Sequence, residues 1–161
     1  MIVQRFVSPN DAKIVCSVNG VFDGHGSDEA AKFVKENLIG VIVQNDKFWS
    51  ENNEDILQAI TDGFVYTHEV MSEKLSEWPK RASGNNCTAG TTANVAFIRQ
   101  SKMFVGHVGD SRIILGRQVV GENSWKSNSL TTINRPDNPD EVERIHGCGV
   151  EIGVSDGVLR Q

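Results

Sequence analysis

The sequence predicts an α+β fold in which a mainly antiparallel β-sandwich is flanked by helices. Two observations carry this reading. Runs of strand composition gather at the start and middle of the chain, over residues 2–7, 13–22, 91–98, 103–108 and 112–115. Two long segments between them carry apolar residues at helical spacing, and the strands do not alternate one by one with helices as βαβ units would.

The elements follow in order. The first two strand runs are joined by the turn cluster Ser8-Pro9-Asn10-Asp11 and form an opening hairpin. After Asp23-Gly24-His25-Gly26 the period changes. Ala30, Val34, Leu38 and Val41 fall on one helical stripe with Phe33 and Ile42 beside it. Ser27 is placed to cap this helix, and Asp28 and Glu29 suit its positive end. A second helix is expected from Glu54 to Trp78, through Ile56, Ile60, Phe64, Met71, Leu75 and Trp78, with Pro79 as its stop. Pro79 to Thr88 reads as an exposed loop. The strands 91–98, 103–108 and 112–115 are separated by Gln100-Ser101 and by Gly109-Asp110-Ser111, and Gly116 to Asn128 reads as a further loop. Asn138-Pro139-Asp140-Glu141 has the form of an N-cap, a proline at the first helical position and the returning glutamate of a capping box. That helix should end at Gly147 or Gly149.

Composition narrows the class. With 161 residues, 39% of them hydrophobic and 23% charged, the chain can bury one real core. A net charge of −5 argues against nucleic-acid partners, which need a basic surface to displace counterions. No apolar run approaches a membrane span and the first residues lack a signal peptide's pattern, so neither membrane nor secretion is expected. Cys16, Cys87 and Cys148 are three, widely and irregularly spaced, which suggests neither zinc nor a disulfide framework. A reducing intracellular compartment, cytoplasmic or nuclear, fits best. Cys16 lies in a strand run and reads as a small buried hydrophobe.

The chemistry concentrates at two strand ends. Asp23-Gly24-His25-Gly26 sets a carboxylate, a backbone carbonyl and an imidazole side by side on a tight turn, and Asp110 stands at the end of the run Met103 to Val108. Hard oxygen donors with water suit Mg²⁺ or Mn²⁺, and a paired-ion site can generate hydroxide for phosphoryl displacement. A side chain at residue 24 would hinder its carbonyl from turning toward a metal, and a histidine beside the metals titrates where it can protonate a leaving oxygen. Asp-Gly is equally a common turn dipeptide, and Gly109-Asp110-Ser111 could be a plain hairpin turn. His68 and His107 read as core or surface residues. From the residues alone both readings stand.

Their order resolves the matter. Val21-Phe22-Asp23-Gly24-His25-Gly26, Ala30-Ala31-Lys32-Phe33, Gly90-Thr91-Thr92-Ala93, Val108-Gly109-Asp110-Ser111-Arg112, Arg135-Pro136-Asp137 and Glu143-Arg144-Ile145 together resemble the PP2C (PPM) family of metal-dependent serine/threonine phosphatases. Glu77-Trp78-Pro79-Lys80, taken with Gly90-Thr91-Thr92-Ala93 and His107 to Ser111, is most similar to the 1D type within it. The resemblance implies a PP2C-like β-sandwich flanked by helices, present here in part, with residues 1–161 forming a single partial domain. It implies that Asp23 bridges two Mg²⁺ or Mn²⁺ ions, that the Gly24 carbonyl ligates one, and that Asp110 helps hold an additional, weaker metal. It makes His25 the general acid toward the departing serine or threonine oxygen, with phosphoproteins as substrates.

The chain departs from the family pattern in places. Pro9 and Asn10 stand where an acidic metal-binding pair is expected, Arg5 does not replace the family's phosphate-gripping arginine, Ser27 replaces a glycine, and Asn134 replaces a histidine. The family's later metal aspartates have no counterpart, since Asp156-Gly157 reads as a hairpin turn. The expectation is therefore a fragment or short isoform with weak metal affinity and open sheet edges, which a second copy or a partner protein could cover. The alternative function is a catalytically incomplete interaction module on the same fold.

Overall fold

A computed structural model of the chain describes residues 1–80, 84, 88–155 and 158–160. Its elements run β1 (Ile2–Val7), β2 (Val15–Val21), β3 (Gly24–His25), α1 (Glu29–Gln44), a 3-10 turn (Asp46–Trp49), α2 (Asn53–Glu73), a second 3-10 turn (Lys74–Glu77), β4 (Gly90–Thr91), β5 (Ala93–Arg99), β6 (Lys102–Val108), β7 (Ile114–Gln118), β8 (Trp125–Ser129), α3 (Pro139–Gly147), β9 (Gly153–Ser155) and β10 (Val158–Arg160). They gather into two compact units, Met1–His107 and Val108–Gln161.

In the first unit the strand order is β1-β2-β5-β6. β1 and β2 are antiparallel, from Ile2↔Gly20 to Val7↔Val15, and the expected hairpin turn is closed by the Ser8 amide donating to the Ile14 carbonyl at 2.9 Å. β2 and β5 are antiparallel, from Val21↔Asn94 to Cys16↔Arg99. Alternation puts Cys16, Val18, Val95, Phe97 and Phe104 on one buried face. The helices cover that face with Val34, Leu38, Ile39 and Ile42 from α1 and Ile56, Ala59 and Ile60 from α2. Phe48 lies edge-on to Phe97 with ring centres 5.3 Å apart, filling the gap between helices and sheet. Arg99 is buried at the end of β5 and donates to the Phe48 carbonyl at 2.7 Å and to the Ser50 carbonyl, so a core cation is satisfied by the carbonyls that end the first 3-10 turn.

Several expectations shift. The cap of α1 falls on Asp28, not Ser27, and its side chain makes no capping bond. Its carboxylate pairs instead with Lys32 at 2.7 Å. Ile39 rather than Val41 completes the buried stripe. α2 ends at Glu73 and tightens into the 3-10 turn, because Pro79 pushes Trp78 to an extended backbone (φ −77, ψ 158). His68 is exposed on α2. Of the loop after Pro79, residues 81–83 and 85–87, including Cys87, lie outside the described residues. Cys16 is fully buried, as expected, and burial pushes its thiol up to about 11.

In the second unit the strand expected at 112–115 begins only at Ile114, and the stretch from Gly116 to Asn128 expected as a loop holds most of a hairpin. β7 and β8 pair antiparallel from Ile114↔Ser129 to Gln118↔Trp125, and every residue of both strands is exposed. α3 has the expected cap, with Asn138 Oδ1 accepting from the Asp140 amide at 3.2 Å and a proline at the start of the helix. The capping-box return does not form. Glu141 turns inward, accepting from Arg144 Nε and Nη2 at 2.7 Å each and from Asn134 Nδ2 at 3.4 Å. α3 ends at Gly147, one of the two expected stops. β9 and β10 pair antiparallel as a hairpin after it, while Asp156-Gly157 lies outside the described residues.

Candidate active site

Asp23, Gly24 and His25 are held as a group by the strand running from Gly90 to Thr92. The Asp23 amide donates to Thr92 Oγ1 at 3.3 Å, and the Thr92 amide donates back to the Asp23 carbonyl at 2.9 Å. From there the pairing continues antiparallel, Gly24 opposite Thr91 and His25 opposite Gly90. These bonds use the backbone of Asp23 and leave its exposed carboxylate to point away from the ladder's demands.

Small residues make this approach possible. A Cβ on Gly24 would stand 2.9 Å from the Cβ of Ala31, so α1 presses directly on the turn. Gly26 has φ +78, a conformation that favours glycine, and a Cβ there would meet the Thr88 carbonyl oxygen at 2.6 Å. The turn therefore passes from β3 into α1 with Asp23 and His25 both exposed, the distal edge of the imidazole lying over Gly90.

Asp110 stands in the second unit on an exposed turn. Gly109 before it takes φ +100, and its carbonyl accepts from the Asn134 amide at 3.0 Å. Thr131 Oγ1 accepts from the Ile113 amide at 3.0 Å. Asn134 is in turn bonded to Glu141, so the Asp110 turn is tied through one residue to α3. Hydrogen bonds from Arg144, the largest influence, hold the Glu141 carboxyl below its usual range against the opposing effect of burial.

The structure thus brings Asp23, Gly24 and His25 together in the first unit and sets Asp110 on a braced turn in the second. Hard oxygen donors are present, but among the described residues no three of His, Cys, Asp and Glu gather where they could hold a metal ion. These donors do not by themselves make a two-metal centre. Three contributions escaped the sequence reading. Thr92 and Gly90 support the turn only through cross-strand register, and the Asn94 Oδ1–His107 Nδ1 contact at 2.8 Å likewise joins residues of neighbouring strands. Glu29 has one buried carboxylate oxygen without a hydrogen-bond partner among the described residues, which nothing in its helical spacing signals.

An α+β unit whose strand-end aspartate and histidine are clasped by a Gly-Thr-Thr strand defines a class with known relatives. The family model described as Protein phosphatase 2C matches residues 2–159, and the chain belongs to the protein phosphatase 2C family. It is 35% identical over 144 residues to Protein phosphatase 2C 1 of Paramecium tetraurelia, covering 88% of this chain and 45% of that protein. It is also 35% identical over 130 residues to Probable protein phosphatase 2C 69 of Arabidopsis thaliana, covering 81% of this chain and 32% of the relative. Among solved structures, a serine-threonine phosphatase 2C from Toxoplasma gondii superposes with a TM-score of 0.67 at 24% identity, over 88% of this chain and 47% of that one. A C. elegans sex determining protein superposes with a TM-score of 0.66 at 22% identity, over 93% and 33%. These superpositions establish a PP2C-like fold, and the chain spans less than half the length of each of these relatives.

Proposed function

We propose that this chain carries part of the active site of a protein phosphatase that hydrolyses phosphoserine and phosphothreonine. Family membership together with the Asp23-Gly24-His25 turn clasped by Thr92 carries the reading. The family match runs through both compact units, which favours treating 1–161 as one partial phosphatase domain.

In this reading Asp23 and the Gly24 carbonyl offer oxygen ligands to a pair of Mg²⁺ or Mn²⁺ ions, and Asp110 contributes to a further, weaker site. The ions would supply an activated water at neutral pH. His25 supplies the proton to the serine or threonine oxygen as its bond to phosphorus breaks. Phosphoproteins are the substrates. A second copy or a partner protein would cover the open edge of β1. The 1D-type likeness of Glu77-Trp78-Pro79-Lys80 underlies our assignment to that subgroup, and a nuclear or cytoplasmic location follows only from it and from the cysteine usage.

The test is Mn²⁺- and Mg²⁺-dependent release of phosphate from a phosphothreonine peptide by the 161-residue chain, beside Asp23→Ala. Turnover that needs metal and disappears in the variant is the expected result. A folded chain that releases no phosphate would make it a binding module instead.

A further inference from the structure

We propose that Gly90 is a positioning residue for His25, acting as a seat without a side chain on which the imidazole lies. His25 and Gly90 are cross-strand partners in the short β3–β4 ladder. A Cβ added at Gly90 would overlap His25 Nε2 and stand 2.6 Å from Cε1 and 3.4 Å from Cδ2. The distal edge of the ring therefore occupies the space a side chain at residue 90 would take. Gly90 shows no positive φ, so an alanine there would strain no backbone. The three heavy atoms nearest such a Cβ all belong to the His25 ring, so its steric cost falls first on that ring.

The seat matters because His25 is otherwise exposed. A solvated imidazole samples several rotamers, and a proton donor must hold its nitrogen within hydrogen-bond reach of the oxygen it protonates. Lying against the β4 backbone removes rotamers that an open strand would allow. Thr92, two residues along, fixes Asp23 by two hydrogen bonds. One strand thus sets both the carboxylate's backbone and the imidazole's plane, and the spacing between carboxylate and acid is built into a single ladder.

The inference rests on the reading of His25 as general acid, and it makes a distinction that reading alone does not. As the phosphorus–oxygen bond breaks, its electron pair stays on the threonine oxygen, which takes a proton from the His25 ring. A water oxygen forms the new bond to phosphorus and gives up one proton to solvent, from which the imidazole is re-protonated. An aryl phosphate such as p-nitrophenyl phosphate releases a stabilised anion and needs no such proton. Displacing the acid should therefore cost the peptide reaction and spare the aryl one.

The experiment compares the wild-type chain, Gly90→Ala, His25→Ala and Gly40→Ala, the last being a glycine of α1 with open space around it. Gly90→Ala should lower kcat for the phosphothreonine peptide roughly 100-fold with little change in KM, the scale expected for a catalytic group misplaced by about an ångström. It should leave p-nitrophenyl phosphate hydrolysis nearly intact, and Gly40→Ala should leave both rates unchanged. A nuclear Overhauser contact between His25 Hε1 and Gly90 Hα in the wild-type chain tests the seat without any variant. Equal loss on both substrates, no loss on the peptide, or absence of that contact would overturn the proposal. If His25→Ala spares peptide hydrolysis while the contact is present, the general-acid reading beneath it fails instead.

Discussion

Gly63 and Gly40 sit on the two long helices, and only one of them is sterically committed. A Cβ at Gly63 would run into the Ile42 side chain, so α1 and α2 meet where α2 has none, whereas Gly40 faces open space. Gly63→Ala should destabilise the first unit by about 1–3 kcal/mol through overpacking. Gly40→Ala should stabilise it by about 0.4–1 kcal/mol by restricting the unfolded chain. Urea midpoints of the two variants check the sign, and equal shifts would contradict the packing shown. Cys16 gives a second residue-scale prediction. With its thiol buried and pushed up to about 11, it should resist a thiol reagent at neutral pH in a Cys87→Ser, Cys148→Ser background until the chain is unfolded. At this scale the sequence singles out Asp23 and His25 as candidates because their side chains name their chemistry. Gly90 and Thr92 stood out only as part of a family motif, and their hold on the turn did not, since Thr92 meets Asp23 across 69 residues and its value lies in register.

α3 is the element whose ends the sequence spelled out and whose interior it did not. Asn138 caps it as its residue type predicts, so Asn138→Ala should cost the second unit about 1 kcal/mol. Glu141 was expected to reach back to the cap, but the paired donors of Arg144 and the Asn134 amide compete better for its carboxylate. The folded carboxyl holds its proton less tightly than the unfolded one. Its stabilisation is therefore fully present above the ordinary glutamate range, about pH 4.3, and is lost as pH falls through the lower folded value. Glu141→Gln should flatten this acid limb, and amide exchange at Asn134 measured against pH would show it. An unchanged acid limb would mean that the pair does not brace this segment. The β7–β8 hairpin shows in the sequence only at Ile114-Leu115, within the strand expected at 112–115, and its remainder is hidden for the opposite reason. Both strands are exposed at every position, so no apolar alternation marks them, and Trp-Lys-Ser-Asn-Ser reads as loop. The helical spacing overruns the end of α2 because it persists into a 3-10 turn that Pro79 dictates from beyond it.

For the molecule as a whole, fold class was written in the distribution of two periods, and the family in the order of its motifs; the supply of metal ligands obeys neither. Asp23 belongs to the first unit and Asp110 to the second, and no three-donor cluster forms among the described residues. In the proposed reading Asp23 and Asp110 are the carboxylates offered to metal. Two carboxylates cannot neutralise two divalent cations, and each uncompensated charge weakens the binding of the next ion. Mn²⁺ should therefore activate the chain only weakly, with half-saturation above about 10⁻⁴ M, the loose end of oxygen-ligated sites. Asp23→Asn should abolish saturable binding. Asp110→Asn should raise the half-saturation point further with little change in thermal stability, since its side chain is exposed. Titration followed by Mn²⁺ electron paramagnetic resonance reads affinity without turnover. Two ions bound stoichiometrically at micromolar concentration would contradict the donor count, and would require carboxylates of this chain beyond Asp23 and Asp110 to converge on the turn when metal is present.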